Sequence, residues 1–405
     1  MKRLINLFFV ILLCCAAFLA EAAPVQIDIY SVNDLHGRLR AAENAPGAAR
    51  LAAALNLLTA ANPKGTLIVG GGDMLSGSID ADSFDGLNAV EAMNIMGFAA
   101  NCAGNHAFDY NFTAIVRQAK AADFPLLAAN ITDANGNIPA PFAPYAVVKR
   151  NGIKTGIIGV LDEQAFKKVK PDRVAGLKLA SPAEAANKYA AQLRRNGVQI
   201  VVLLAHIGGQ MENGMLTGAI VPVLDNLKGI DAVASGDSHT VFACSYKGIP
   251  AVQAGEYGMQ IGHIKLFYDA DAGKITQAEA NVYETDALTQ ERDSKAAAFL
   301  QPYFEDPRPF AVRFAVVMLL FYYIDAQHLP RVLALLEEVH SDEYYVKMAV
   351  AWAASMCYAA FPDETLPWLQ AARLDEFTYR RTIRKICESH QVNAEQKSHL
   401  RALER

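Results

Sequence analysis

Nine polar side chains follow short apolar runs in this sequence: Asp34 and His36 in "VNDLHGRL", Asp73 in "GGGDMLSGS", Asn105, His106 and Asp109 in "GNHAFDY", His206 in "LLAHIGG", and Asp237 and His239 in "SGDSHT". Carboxylates, imidazoles and one carboxamide are oxygen and nitrogen donors suited to zinc, manganese, iron or cobalt, and no thiolate stands among them. Their number exceeds the needs of a single ion. Two divalent ions about 3.5 to 4 Å apart, bridged by one carboxylate, would lower the pKa of a water and clamp the attacking and leaving oxygens of a phosphoryl transfer. Asp73 is the natural bridge, because the glycines before it let the backbone approach closely. His106 and Asp109 form a dyad: imidazole on the phosphate or leaving oxygen, carboxylate fixing its orientation. Each residue alone has a plainer use. Asp34, Asp73 or Asn105 suits a helix cap or turn, and His206 a satisfied core histidine. Jointly and in this order they read as one site, since independent caps need not supply compatible ligands.

The elements around these residues explain how they would meet. From Val25 to about Glu284, apolar runs such as "VQIDIYSV", "GTLIVG", "FAANCAG", "FPLLAAN", "VQIVVLLAH", "IDAVAS" and "IPAVQAG" alternate with helical stretches such as "GAARLAAALNLLTAAN" and "SPAEAANKYAAQLRRNG". That pattern predicts a layered α/β domain with largely buried strands, whose donors converge at the carboxyl edge of a sheet. "YAVVKRNGIKTGIIGVL" predicts a hairpin turning at "RNG", and "IGHIKLFYDADAGKITQAEANVYET" a second antiparallel pair. Beyond Pro309 the period is helical throughout, with "AQH", "SD" and "FPDE" as connectors, which predicts an α-solenoid fragment. The expected organisation is a leader at 1–23, a catalytic domain at 24–285, a linker at 286–306 and a helical fragment at 307–405.

With 405 residues, 52% hydrophobic and 20% charged, the chain can bury a large core, and its formal charge of -5 gives no global attraction to nucleic acid or anionic membrane. Lys2 and Arg3, the run "LINLFFVILLCCAAFLA" and Ala20-Glu21-Ala22 predict an export signal cleaved near Ala22 or Ala23, hence a periplasmic or extracellular protein with no stable membrane span after cleavage. A retained anchor is the other reading of that run. Cys102, Cys244, Cys357 and Cys387 show neither disulfide nor zinc-knuckle spacing and read as core residues.

The ordered set "NDLHGRL", "GGD", "GNHAFD", "AHIG" and "GDSHT", with "AGEYG" near Gly255, resembles the catalytic domain of the 5′-nucleotidase branch of the calcineurin-like metallophosphoesterases over about residues 25 to 285. The resemblance implies an α/β fold, a four-layer α/β/β/α sandwich, with a dinuclear site. One ion would take Asp34, His36, Asp73 and His239, the other Asp73, Asn105, His206 and the residue at 237, with His106 and Asp109 catalytic. The family pattern has histidine where this chain has Asp237, glutamate where Ala107 stands, and glutamine near Ser76. An aspartate is a harder, anionic and shorter ligand than imidazole. The second α/β domain that supplies the base clamp in those nucleotidases is not legible in residues 286 to 405.

The helical part, in "FAVRFAVVMLLFYYID", "YYVKMAVAWAASMCYAAFP" and "RRTIRKICESHQV", resembles the carboxyl half of the DNA alkylation repair family of HEAT-like repeats. That resemblance implies Arg313 and Trp352 as DNA-facing residues, while Trp352 also fits a core position. Arg380, Arg381, Arg384 and Lys385 form a basic cluster, yet residues 301 to 405 hold 12 Lys and Arg against 14 Asp and Glu, which favours a solvated face over a nucleic-acid surface. A fragment lacking its first helices would expose an apolar flank, to be buried on the sandwich unless the chain joins two unrelated pieces. The leading expectation is an exported two-metal phosphohydrolase acting on a small phosphate ester, a nucleotide. A DNA-binding helical protein with a degenerate enzymatic passenger, and a pseudoenzyme that binds without turnover, are the alternatives.

Overall fold

The computed structural model describes residues 23–42, 44–288, 303–326 and 328–402. The expected leader, apart from residue 23, and most of the expected linker lie outside the described residues. Along the chain run β1 (Val25–Val32), α1 (Gly47–Thr59), β2 (Thr66–Gly70), α2 (Ile79–Asp82), α3 (Leu87–Met96), β3 (Ala100–Cys102), α4 (Phe112–Ala121) and β4 (Leu126–Leu127). There follow β5 (Tyr145–Arg150), β6 (Ile153–Leu161), α5 (Pro182–Arg195), β7 (Ile200–His206), α6 (Ile220–Asp225), β8 (Ala232–Ser235), β9 (Val241–Tyr246), β10 (Ile249–Ala254), β11 (Gln260–Asp269) and β12 (Lys274–Glu284). Shorter strands at Ile131–Thr132, Lys178–Leu179, Gln210–Glu212 and Met215–Thr217 decorate this frame.

Two six-stranded sheets result, ordered β12-β11-β1-β2-β3-β4 and β9-β10-β8-β7-β6-β5. The inner strands of each are parallel, and the predicted hairpins β5–β6 and β11–β12 close edges in antiparallel register. Asn151 and Gly152 carry the β5–β6 turn at φ 46° and 85°, the conformation that an Asn-Gly turn favours. Ile27, Ile29, Leu67 and Val69 of the first sheet interleave with Ile157, Val202, Leu204 and Ala234 of the second. The outer face of the first sheet packs under α1, α3 and α4 through Tyr30, Leu51, Val90, Met93 and Ile115, and that of the second under α5 and α6 through Leu203, Leu193 and Ile220. This is the four-layer α/β/β/α sandwich, and alternate residues of one strand serve different layers because side chains alternate across a sheet.

The helical region comprises α7 (Thr285–Leu288), then α8 (Pro309–Tyr322), α9 (Leu329–Glu338), α10 (Tyr344–Ala360), α11 (Pro362–Ala371), α12 (Glu376–Glu388) and α13 (Ala394–Arg401). Two expectations change here. The linker expected from residue 286 opens with the short helix α7, and "FPDE" is no connector: Phe361 caps α11, and Pro362 takes its first position, where its missing N–H costs nothing. Helix α10 is the hub, burying Ala349, Val350, Ala353, Ala354 and Cys357 among α8, α9 and α12. The apolar flank of α8 lies on α3, with Phe314 shared between the helical core and the sandwich core. Arg308 ties the seam to Glu91 and Asp123, each at 3.5 Å. Arg313 and Trp352, expected to face DNA, instead line a cleft of about 140 Å³ between the helices and the α2–α3 segment, because burying α8's flank turns that surface toward the sandwich. In the basic cluster, Arg380 and Arg384 pair with Glu376 and Glu388 one turn away, as on a solvated helix face. Among the described residues Cys102, Cys244, Cys357 and Cys387 are free, with Cys102 and Cys357 buried. Among the described residues no helix is long and apolar enough to cross a membrane.

Candidate metal centre

Every candidate donor lies at the carboxyl end of a parallel strand. Asp34 and His36 follow β1, Asp73 follows β2, Asn105 and His106 follow β3, His206 ends β7, and Asp237 and His239 follow β8. Adjacent loops then bond to one another: Asp34 N–H donates to Gly72 O at 3.0 Å, His36 N–H to Asp73 O at 2.9 Å, and Asp237 N–H to Asp34 Oδ2 at 3.0 Å. Asp34, His36, Asp73, Asp237 and His239 all hold positive φ, at 50°, 49°, 50°, 83° and 58°. Such conformations cost non-glycine residues about 1–3 kcal/mol each and persist where the surroundings over-determine them.

The site grades from a dry floor to an open mouth. Asp34 and His206 are 0% exposed and Asp73 and Asn105 4%, while the side chains of His239 and His106 are 36% and 40% exposed. Ligand atoms of Asp34, His36 and His239 lie within 4.8 Å of one another, as do those of Asp34, Asp73 and His206, and those of His36, Asp73 and His106. His206 Nε2 is 2.9 Å from Asp73 Oδ2 and 3.7 Å from Asp237 Oδ1, and His239 Nε2 is 3.5 Å from Asp34 Oδ1. Asp73 thus belongs to two of these three groups, whereas Asp237 belongs to none of them, its Oδ1 standing 3.7 Å from His206 Nε2 at their margin.

The opposite edges of the rings say what belongs in the middle. His206 Nδ1–H donates to Gly71 O at 3.0 Å, His36 Nδ1–H to Ser76 O at 3.1 Å, and His239 Nδ1–H to Glu256 Oε2 at 2.6 Å. Those acceptors carry no proton, so Nδ1 holds the hydrogen and Nε2 turns its lone pair inward, the arrangement that prepares an imidazole for a metal. His36 and His239 present Nε2 to Nε2 at 3.1 Å, and two lone pairs at that separation require a cation or a proton. The carboxamide atom of Asn105 facing Asp237 Oδ1 lies 3.2 Å away; as nitrogen it donates, and as oxygen it too requires a cation there. Burial disfavours charge on both members of the Asp73–His206 pair, but their mutual attraction prevails, holding the carboxyl below the usual range and the imidazole above it, so a proton and a metal ion compete for the same Nε2 lone pair. The residues present therefore fit hard or borderline divalent ions.

His106 is placed differently. Its Nδ1 meets Asp109 Oδ2 at 2.6 Å, a bond that raises its pKa, and its backbone N–H donates to Asp73 Oδ1 at 2.9 Å. The ring stands edge-on to His36, centroids 4.9 Å apart. Ser76 donates to His106 O at 2.8 Å and lies 3.3 Å from Asp109 Oδ2, so this hydroxyl braces the dyad where the resembled family has glutamine.

Sequence reading missed four participants. Glu256, which tethers His239, follows β10 and was detectable by the same strand-end rule through "AGEYG". Asn33 donates to Asp34 Oδ2 and Gly255 O, both at 2.7 Å, stapling two site loops. Tyr257 N–H donates to Asp34 O at 2.8 Å. Lys168, in a short turn beyond β6, pairs with Asp237 Oδ1 at 2.5 Å; its only trace in the sequence is the basic run "KKVK".

The sandwich at residues 25–284 shares its fold with solved phosphoesterases and nucleotidases. The crystal structure of calcineurin-like phosphoesterase YfkN from Bacillus subtilis superposes with a TM-score of 0.59 at 22% identity, covering 69% of this chain and 96% of that one. Among curated proteins, endonuclease YhcR of Bacillus subtilis is 28% identical over 312 residues, 70% of this chain and 26% of that protein. A 2′,3′-cyclic-nucleotide 2′-phosphodiesterase/3′-nucleotidase of Salmonella typhimurium is 28% identical over 336 residues, 72% of this chain and 52% of that protein. The chain therefore spans from a quarter to half the length of these relatives. No family model matches it.

Proposed function

We propose that this chain is an exported phosphohydrolase that cleaves phosphate esters of nucleotides at a two-metal centre. The observation that carries the proposal is the convergence of three imidazole Nε2 atoms, each fixed through its Nδ1–H, on the carboxylates of Asp34 and Asp73. Asp34, His36, Asp73 and His239 would hold one ion, and Asp73, Asn105, His206 and Asp237 the other. Bound there, divalent ions supply Lewis acidity toward the phosphoryl oxygens and toward a water.

The chain's own residues do the rest. The buried floor keeps the donors' charges unscreened and rigidly placed, so little reorganisation accompanies the reaction. His106, at the mouth and steered by Asp109, meets the phosphate or the leaving oxygen, where the imidazole can pass a proton to that oxygen. A nucleotide is the substrate class because the resembled family and the Salmonella relative act on nucleotides. The HEAT-like reading of residues 307–405 rests on their sequence motifs and adds no base-recognition role.

The test measures bound metal and phosphate release from adenosine 5′-monophosphate and 2′,3′-cyclic adenosine monophosphate, with manganese, zinc or cobalt supplied to the mature chain. His106→Ala is expected to lower turnover by about 10²–10⁴-fold with metal content retained. Unchanged turnover in that variant overturns the dyad, and no turnover by the wild type with any of these ions overturns the hydrolase.

A further inference from the structure

Asp237 brings a third carboxylate to a centre whose resembled family has imidazole at that position. The same oxygen, Oδ1, lies 2.5 Å from Lys168 Nζ, 3.7 Å from His206 Nε2 and 3.2 Å from the carboxamide of Asn105. Asp237 is mostly covered, its side chain 13% exposed, whereas Lys168 reaches in from the rim at 47%. Among the described residues no other acid is within ion-pair distance of Lys168.

We infer that Lys168 and Asp237 work as a unit: the lysine cancels the charge that aspartate adds, so that the centre keeps the positive balance needed to hold a phosphate. Asp34, Asp73 and Asp237 carry three negative charges; an imidazole at 237 would leave two, and the Lys168 ammonium restores that value. The pair sits at the edge of the buried floor: the covered Asp237 carboxylate is screened less than a surface group, while the half-exposed Lys168 keeps part of its charge in contact with solvent. Lys168 is accordingly a specificity-setting residue. Its ammonium weakens the pull of Asp237 on a divalent ion and strengthens the pull of the whole centre on an anion.

This inference rests on the two-metal reading, and it predicts effects of opposite sign on cation and anion. The full chain, stripped by chelation, is titrated calorimetrically with Mn²⁺, and inorganic phosphate is then titrated into the loaded protein. Lys168→Met is expected to bind the second equivalent of Mn²⁺ roughly tenfold more tightly and phosphate roughly tenfold more weakly, each about 1.4 kcal/mol. In Asp237→His/Lys168→Met both constants should return to within about threefold of the wild type, since the charges again balance. A merely structural lysine would weaken both ligands together, and an idle one would move neither; either result overturns the inference. Asp237→Asn, which keeps the side chain's size, separates charge from shape: it should bind Mn²⁺ more weakly and phosphate more tightly, and weakening of both would count against a charge role. Thermal unfolding of each variant excludes misfolding as the cause. If the wild type takes up no second Mn²⁺, the two-metal reading itself fails, an outcome distinct from wrong signs in the variants.

Discussion

Asp28 and His263 show why residue type alone does not define the site. His263 Nε2–H donates to Asp28 Oδ1 at 2.8 Å, and Asp28 Oδ2 accepts from Gln26 and Asn62, each at 2.8 Å. This buried carboxylate–imidazole pair joins β1 to β11 within the sheet, away from the strand ends, and reads as structural. Burial pushes the Asp28 pKa up, but the three hydrogen bonds outweigh it and the net shift is downward. A carboxylate whose folded pKa is depressed contributes stability above its unfolded value near 3.8, lost as the pH falls through the folded value. Thermal unfolding followed from pH 6 to pH 2 should therefore lose stability below about pH 4, and Asp28→Asn should lower the melting temperature at pH 6 while flattening that slope. An unchanged slope in the variant would place the acid sensitivity elsewhere. The nine site residues were legible because each ends an apolar run. Glu256 and Lys168 were less so: the first contributes through His239, and the second approaches from a loop whose path only the fold determines.

At the scale of elements, glycine placement converts strand order into site geometry. Gly72, at φ 101°, lies where a Cβ would fall 2.3 Å from His206 Nδ1, so the loop after β2 can press against the ring that ends β7. Gly104 has an ordinary φ of -113°, yet a Cβ there would sit 2.1 Å from Asp73 Oδ1. Substitution at Gly104 thus probes steric contact without backbone strain. Gly104→Ala should displace Asp73, cutting bound metal well below that of the wild type, and cost about 1–3 kcal/mol of stability as overpacking does. Metal analysis beside circular dichroism checks this, and a variant with full metal content would show that the loop after β3 yields more readily than its contacts suggest. The strands and most helices were readable from period and punctuation. What escaped was short or non-local: α2 is a single turn, β9 opens on four consecutive apolar residues that hide its alternating burial, and the "FPDE" segment looked like a connector because its proline, read without the helix behind it, signals a break.

For the whole molecule, the question left by the sequence was whether the helical region stands apart from the sandwich. Helix α8 has mostly apolar residues around its circumference, and a helix of that kind must be covered on several sides. One side is covered by α10, another by α3 through Phe314, and Arg308 beside the seam partners Glu91, whose burial raises its pKa. Tyr345 and Arg313 close over Phe84 from the helical side, with the Tyr345 ring centroid 6.0 Å and Arg313 Cζ 5.8 Å from the Phe84 centroid. A seam combining a shared aromatic residue with a partly buried ion pair should couple the two regions thermally. The wild type is therefore expected to unfold in one calorimetric transition. Phe314→Ala removes the residue common to both cores; half-buried, it should cost about 2 kcal/mol, below the roughly 3–5 kcal/mol of a fully buried aromatic truncation. Combined with Arg308→Met, which leaves Glu91 without its cation, this loss should split the transition, the helical region melting first and the sandwich near the original temperature. Two transitions already present in the wild type would mean that the seam holds position without coupling stability, and one transition retained in the double variant would mean that the remaining contacts of α8 and Tyr345 suffice to bind the two regions into a single cooperative unit.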